Sequence, residues 1–183
     1  MRRAAEYIIG TFTEGKGKKA MENLKIRTAT AADARAAAAV EAACFPIAEA
    51  ATLAELTERI EVYGDHFWLL ERGGQLVAFV DGMTTDRADL TDEMYADASL
   101  HDEHGAWQMI FGVNTLPEYR RRGYAAMLIQ RAIADARAQG RRGLVLTCKD
   151  ALVPYYAKFG FVSEGASESA HGGVQWNQMR LTF

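Results

Sequence analysis

The spacing of hydrophobic and polar residues changes along this chain, and each change predicts a different secondary-structure element. Residues 24–29 alternate between apolar and polar side chains, which predicts a strand. Residues 31–44 form an alanine-rich stretch behind an N-terminal capping pair, which predicts a helix. Pro46 interrupts that pattern, and a second helix is predicted from about residue 53 to residue 62.

Two apolar runs follow, at residues 67–72 and 75–85, and the pair of glycines between them predicts a β-hairpin. A polar segment, residues 86–105, comes next. Residues 107–116 are the strongest strand candidate in the chain because they combine aromatic and apolar side chains. The first half of the chain therefore predicts two helices followed by a β-meander.

The second half of the chain alternates between strands and helices. A helix is predicted over residues 123–139, where apolar side chains recur on one stripe. Residues 143–148 form a continuous apolar strand of the kind that is buried on both faces. A short helix within residues 150–160 and two strands, at 161–165 and 174–183, complete the pattern. The predicted fold class is α+β.

Composition favours one domain with a sizeable core, since 49% of the 183 residues are hydrophobic. The 21 basic and 24 acidic residues give a net charge of -3. This balance argues against a general nucleic-acid surface and leaves room for a local anion site, so we expect no nucleic-acid partner. The two cysteines, Cys44 and Cys148, are far apart, which predicts neither a disulfide framework nor a zinc site.

Cysteine content and the hydrophobic pattern also predict the cellular location and the limits of the domain. The low cysteine content suits a reducing cytoplasm, and no apolar run is long enough to predict a membrane span. Residues 1–20 contain a Gly-Lys-Gly-Lys-Lys tract with little to bury, which predicts a flexible extension. Residues 21–183 are then expected to form the single domain.

Three consecutive arginines, Arg120 to Arg122, stand directly before Gly123 at the start of the longest predicted helix. A charge run is usually a solvated helix face, and that alternative remains open from charge alone. However, the first N–H groups of a helix have no partner within it and lie at the positive end of its dipole. Gly123 and Ala125 would let backbone approach a ligand closely. The position therefore suits an anion, and a pyrophosphate more than a carboxylate.

Residues 120–125, Arg-Arg-Arg-Gly-Tyr-Ala, fit the pattern Arg/Gln-x-x-Gly-x-Gly/Ala, and "TCKDALVPYYAKFGFVSEG" follows downstream. Together these motifs resemble the GNAT superfamily of acetyl-CoA-dependent N-acetyltransferases. The downstream stretch is similar to the arylalkylamine (serotonin) N-acetyltransferase branch of that family. The resemblance covers residues 24–183 and is strongest over residues 107–165.

The resemblance implies an α/β/α sandwich with a mixed, mostly antiparallel twisted sheet and a splayed central strand pair flanked by helices. It also implies that acetyl-CoA is the cosubstrate and lies between the central strand and the strand at residues 143–148. Backbone groups of Val113 and Thr115 would pair with the pantetheine arm, and the loop before the helix would hold the pyrophosphate. The residues so assigned to acetyl-CoA are Val113, Asn114, Thr115, Arg120, Arg121, Arg122, Gly123, Tyr124, Ala125 and Ala126.

The amine side departs from the branch that the chain resembles. Two histidines assigned there to proton removal correspond here to Met109 and Phe111, which cannot accept a proton. With Trp107 they form an apolar face that either packs in the core or lines a site for an apolar amine. Phe45 and Tyr155 are further candidates for the substrate wall.

Other proton acceptors come from loops, or the proton leaves through water. The loop candidates are His101, Glu103, His104 and His171. A water chain is the default expectation, because a lone loop histidine is usually only solvated. A carboxylate of Glu41 or Glu49 would attract a cationic amine, although Glu41 also fits a polar helix face.

The resemblance assigns Tyr156 as the general acid. Cys148 fits a small core residue better than a nucleophile, so direct attack of a primary amine in a ternary complex is expected. The acceptor is a small-molecule amine or a protein amino group, and a homodimer is compatible with this interpretation. No metal is expected, because no ligand set occurs at metal-binding spacing. A catalytically silent coenzyme A-binding module is the alternative, favoured by the missing histidines and opposed by Tyr156.

Overall fold

A computed structural model describes residues 7–8 and 23–183 of the chain. The prediction of a flexible extension at residues 1–20 falls almost entirely outside the described residues. The strands are β1 (Tyr7–Ile8), β2 (Leu24–Thr28), β3 (Phe67–Arg72), β4 (Gln75–Asp81), β5 (Thr84–Thr85), β6 (Trp107–Ile110), β7 (Gly112–Thr115), β8 (Gly143–Cys148), β9 (Val162–Ala166) and β10 (Asn177–Thr182). The helices are α1 (Ala34–Cys44), α2 (Leu53–Tyr63), α3 (Glu93–Ala96), α4 (Tyr124–Ala138) and α5 (Val153–Ala157).

The strands form two five-stranded sheets, in the orders β1-β2-β3-β4-β7 and β5-β6-β8-β10-β9. Pairing is antiparallel throughout, except between β6 and β8, which run parallel. This arrangement confirms the predicted α+β class and the mixed, mostly antiparallel sheet.

The strand predicted over residues 107–116 is in fact two strands, and the break at Phe111 divides them between the two sheets. The run at residues 75–85 is likewise split into β4 and β5. Gly82 lies at that second break, where a Cβ would stand 1.8 Å from the carbonyl oxygen of Met109. Only glycine allows this approach. The two predicted strands therefore lie against each other where each of them passes from one sheet to the other.

Helices cover both faces of the first sheet, as alternation along β3 requires. Phe67 and Leu69 pack in a cluster with α1 and α2, whereas Trp68 and Leu70 pack in the main core with α4. The predicted sandwich is therefore confirmed. The helix predicted over residues 31–44 begins as a 3₁₀ turn and becomes α-helical at Ala34. Within the described residues, no helix combines the length and the apolar character needed to cross a membrane.

The central strands separate beyond the break. β6 pairs with β8 as far as Ile110 opposite Leu146, but β7 pairs with β4 alone. From Leu146 onward β8 therefore diverges from β7, which confirms the predicted splayed pair and opens a gap between the two sheets.

Candidate active site

A cavity of ≈ 140 Å³ lies where β7 and β8 diverge. One wall is the chain from Ile110 to Val113, and the opposite wall is Leu146 to Cys148 with Tyr156. The connection between α1 and α2 contributes Phe45 and the segment from Glu49 to Ala51. Aromatic and acidic side chains thus meet around one small space, which suits a molecule with both an apolar and a cationic part.

The backbone of β7 is paired along one edge and faces the gap along the other. The N–H of Leu116 donates to the C=O of Val77 at 3.0 Å, which fixes the phase of the ladder with β4. Bonded and non-bonded positions alternate in antiparallel pairing, so the N–H and C=O groups of Val113 and Thr115 point away from β4. The C=O of Thr115 already accepts hydrogen bonds from Arg120 Nε at 3.1 Å and Cys44 Sγ at 3.3 Å. A ligand with amide groups can therefore pair most directly with Val113, as an added strand would.

A tight loop joins β7 to α4 and contains the arginine cluster. Arg121 and Gly123 both have left-handed backbone, with φ of +62° and +86°. For a non-glycine residue this conformation costs on the order of 1 kcal/mol or more, and such strain is common at ligand sites. No atom lies within 4 Å of a Cβ built on Gly123, which is the N-cap of α4. The open space before the first N–H groups of α4 is suited to an anion.

Side chains hold this loop against β7. Arg120 Nε donates to the C=O of Thr115 at 3.1 Å. Arg122 donates to the C=O of Glu118 at 3.3 Å, and its guanidinium lies 5.5 Å from the ring centre of Tyr119. The loop is therefore anchored on both sides of Arg121.

Two residues predicted to bind the cosubstrate have buried side chains. The ring of Tyr124 packs in the main core, and the amide of Asn114 is buried without a hydrogen-bond partner among the described residues. Any contact that they make with a ligand in the gap must come from the backbone.

Tyr156 lies on α5 with its ring almost fully buried and lines the cavity. The ring packs edge-on against Tyr155 and Phe161, with centroid distances of 5.2 and 6.2 Å. Its hydroxyl has no hydrogen-bond partner among the described residues. Burial raises the pKa of the phenol above its ordinary value, so the hydroxyl stays protonated and can donate a hydrogen bond into the cavity.

The predicted substrate residues divide into two groups. Phe45 and Phe111 line the cavity, whereas Trp107, Met109 and Tyr155 do not. Met109 is fully buried in a cluster beneath the segment that contains α3, and the ring of Trp107 lies in the same cluster. The lining interpretation is corrected for these two residues, because β6 belongs to the second sheet and this face of it is covered. Tyr155 packs against the main core.

Three of the loop candidates for proton removal, His101, Glu103 and His104, lie elsewhere. The side chain of His171 is outside the part of the chain that the structure describes. His101 and Glu103 cluster with His66, with His101 Nε2 3.4 Å from Glu103 Oε2. None of these residues, nor His104, lines the cavity. The backbone N–H of Thr84 donates to His101 Nδ1 at 3.3 Å, so the neutral ring carries its proton on Nε2, which faces Glu103. This cluster is accounted for by hydrogen bonding within the protein.

Glu41 is the main residue of the site that the sequence did not identify, because its position also fits a polar helix face. Glu41 on α1 is buried, lines the cavity, and accepts the N–H of Ala51 at its Oε1, at 3.1 Å. Burial, assisted by the nearby charge of Asp81, raises the pKa of Glu41 to about 7. The only sequence signal for this position was its closeness to Pro46, because helix periodicity does not show which polar residue faces a cavity.

The cavity contains one thiol. Cys148 lines it, and burial raises the pKa of this thiol to about 11. Its Sγ lies 3.5 Å from the sulfur of Met179. A thiol in this environment is a poor nucleophile at neutral pH.

Comparisons with known proteins agree with this geometry. The model of the acetyltransferase (GNAT) family matches residues 17–161. Serotonin N-acetyltransferase from Mesocricetus auratus is 32% identical over 111 residues, which are 60% of this chain and 52% of that protein. The chain therefore spans about half the length of this curated relative.

Solved structures share the fold at low sequence identity. The loading GNATL domain of CurA from Lyngbya majuscula has a TM-score of 0.75 at 16% identity, covering 87% of this chain and 97% of that one. The GphF GNAT-like decarboxylase in complex with isobutyryl-CoA has a TM-score of 0.70 at 22% identity, covering 86% and 98%.

Proposed function

The chain belongs to the acetyltransferase (GNAT) family, and we propose on that premise that it transfers acetyl from acetyl-CoA to a primary amine by direct attack in a ternary complex. The observation that carries this proposal is the cavity at the gap between β7 and β8, with Tyr156 on its wall. The fold alone does not decide the reaction, since a decarboxylase shares it.

Acetyl-CoA would lie along the free edge of β7. Its pantetheine amides would pair with the outward N–H and C=O groups of Val113, and with Thr115 where its C=O is shared with or released by Arg120. Its pyrophosphate would lie against the first N–H groups of α4, at Tyr124 to Ala126, with Arg121 and Arg122 supplying charge. The left-handed conformations at Arg121 and Gly123 support this placement, because they turn the chain sharply at the helix start.

The thioester would then point into the cavity near Tyr156. When the C–S bond breaks, the departing thiolate needs a proton, and a phenol of raised pKa remains available to supply it at neutral pH. The oxyanion that forms on the acetyl carbonyl would be met by the N–H of Val113, which faces the gap.

Direct attack is favoured over a covalent acetyl-enzyme. The one thiol lining the cavity, Cys148, is held protonated by burial. Acetylation of Cys148 would require a neighbouring base to take the thiol proton. The hydrogen-bond partner of its Sγ is instead the sulfur of Met179, which is not a base.

The acceptor is proposed to be a small amine with an aromatic or otherwise apolar body. Phe45, Phe111 and Trp176 supply apolar wall, and Glu41 supplies negative charge for the amine end. An arylalkylamine has both features, and serotonin, the amine in the name of the Mesocricetus auratus relative, is an arylalkylamine.

The test measures coenzyme A release across a panel of arylalkylamines, polyamines and peptide N-termini, together with a binding isotherm for acetyl-CoA. We expect binding, and turnover highest on an arylalkylamine. Binding without turnover on any amine would instead favour a catalytically silent coenzyme A-binding module, and absence of binding would exclude both.

A further inference from the structure

The proposed reaction needs a group that takes the proton from the attacking nitrogen, and the histidine pair of the resembled branch is absent. Besides Glu41, the titratable side chains that line the cavity are Glu49, Glu55, Arg59, Tyr95, Cys148 and Tyr156. Asp81 lies behind them, fully buried. The identity of the proton acceptor depends on which of these groups is ionised and unpaired.

Three of the four carboxylates in this region already have partners. Asp81 forms a buried ion pair with Arg59 at 3.0 Å. Glu49 forms an ion pair with Lys149 at 2.9 Å, and Glu55 accepts the N–H of Thr52 at 2.7 Å as the cap of α2.

Glu41 differs from the other three. Among the described residues, no basic nitrogen lies within 4 Å of its carboxylate. Oε1 accepts the N–H of Ala51 at 3.1 Å, and the side-chain amide of Asn114 lies close enough to lower the pKa of the carboxyl. Both of these neighbours are neutral, so no cation contacts the carboxylate before a ligand enters the cavity. The Ala51 N–H also fixes the rotation of the carboxylate, which orients Oε2 before substrate arrives.

We propose that Glu41 is the catalytic base, an assignment that rests on the proposed acetyl transfer. The neutral amine attacks the carbonyl carbon of the thioester, and the new C–N bond leaves an extra proton on nitrogen. Glu41 Oε2 accepts that proton as the C–S bond breaks, and Tyr156 gives its phenolic proton to sulfur. The proton on Glu41 then returns to the Tyr156 phenolate through solvent, so the net products are the acetamide and coenzyme A.

The surroundings of Glu41 suit this role. Burial raises the pKa of its carboxyl to about 7, with Asp81 adding to the increase and Arg59 opposing it. A carboxylate of this basicity is ionised in a large fraction of molecules at neutral pH and accepts a proton more readily than an exposed glutamate. Phe111, which stands at one of the two histidine positions, lines the cavity, makes it less polar and so increases the effect of burial.

The test is Glu41→Gln, which keeps the size of the side chain and an oxygen to accept the N–H of Ala51. We expect single-turnover acetyl transfer to fall by roughly 10²-fold or more, with acetyl-CoA affinity unchanged. For the wild type, kcat/KM calculated on the concentration of neutral amine should rise with pH through about 7, and Glu41→Gln should lose that rise. Glu58→Gln makes the same chemical change at an exposed position of α2 and should behave as the wild type.

Each outcome decides the assignment. Transfer by the wild type with the same rate and pH profile in Glu41→Gln overturns it, and so does a lower rate with an unchanged pH profile, which indicates a structural role only. Absence of transfer by the wild type on every amine overturns the proposed function and the base with it.

Discussion

At the scale of single residues, one physical cause acts on both side chains that we propose for proton transfer. Burial disfavours the charged form, so it raises the pKa of the Tyr156 phenol and of the Glu41 carboxyl alike. For the phenol the consequence is a hydroxyl that stays protonated and available as an acid. For the carboxyl the consequence is a stronger base. A single apolar cavity can therefore hold an acid and a base of opposite function.

Tyr156→Phe should lower kcat by roughly 10²-fold while the affinity for acetyl-CoA stays nearly unchanged. The ring packing against Tyr155 and Phe161 survives this change, and only the proton donor is lost. Rapid-quench measurement of the chemical step gives the comparison directly. The matched control is Tyr155→Phe, on the adjacent residue outside the cavity, which should keep wild-type kcat. Wild-type kcat in Tyr156→Phe would remove the tyrosine from the mechanism.

Ionisation of Glu41 should lower the free energy of unfolding as the pH rises. Its pKa is about 7 in the folded chain against an ordinary glutamate value of 4.5, so its favourable contribution is complete below about pH 4.5 and is lost as the pH passes 7. The full effect is on the order of 3 kcal/mol. Urea unfolding should therefore show Glu41→Gln gaining stability relative to the wild type between pH 5 and pH 8. A difference that stays constant over this range would mean that Glu41 titrates normally.

Residues of the site were predictable from sequence to different degrees. Tyr156 and the loop at Gly123 have local signatures, since each stands at a fixed place in a short motif. Glu41 has none, because whether a polar position on α1 faces solvent or a cavity depends on Ala51 and β7, which are distant in sequence. Met109 shows a similar limit. The alternation of side chains predicted correctly that Met109 lies on an apolar face, but it could not predict to which sheet that face belongs.

At the scale of elements, the loop between β7 and α4 combines strain and open space. Gly123 has φ of +86° with nothing near its missing Cβ, so a side chain there is opposed by backbone conformation and would also occupy the space proposed for the pyrophosphate. The prediction of one strand over residues 107–116 was wrong because the cause of the break lies on another segment. The apolar pattern of these residues is continuous, whereas the close contact that separates the two sheets is made by Gly82.

Gly123→Val should weaken acetyl-CoA binding by more than tenfold, or about 1.4 kcal/mol. Gly74→Val provides a matched control, since Gly74 has φ of +85°, equal open space, and a position at the hairpin turn away from the cavity. Both variants should lose similar stability, and only Gly123→Val should lose affinity in isothermal titration. Unchanged affinity in a folded Gly123→Val protein would exclude the loop as the phosphate site.

At the scale of the whole molecule, the candidate active site and the cluster that contains two histidines lie in different parts of the fold. The cavity lies at the gap between the two sheets, whereas His66, His101 and Glu103 lie beside the cluster formed by Tyr63 and its neighbours. These three residues are the only group of potential metal ligands among the described residues. His66 is distant in sequence from His101 and Glu103, so spacing along the chain does not bring the three together.

Prolonged treatment with a chelator should therefore leave kcat unchanged. The acid and the base assigned to the reaction are side chains of the protein, and none of the three clustered residues lines the cavity. The hydrogen bond from Thr84 to His101 Nδ1 also leaves the Nε2 proton, rather than a lone pair, facing Glu103. The check is acetyl transfer before and after exhaustive dialysis against the chelator, with Glu103→Gln as a control that removes the carboxylate of the cluster. Loss of turnover on chelation, with recovery when zinc is added and no such recovery in Glu103→Gln, would show that a metal ion at this cluster supports the reaction.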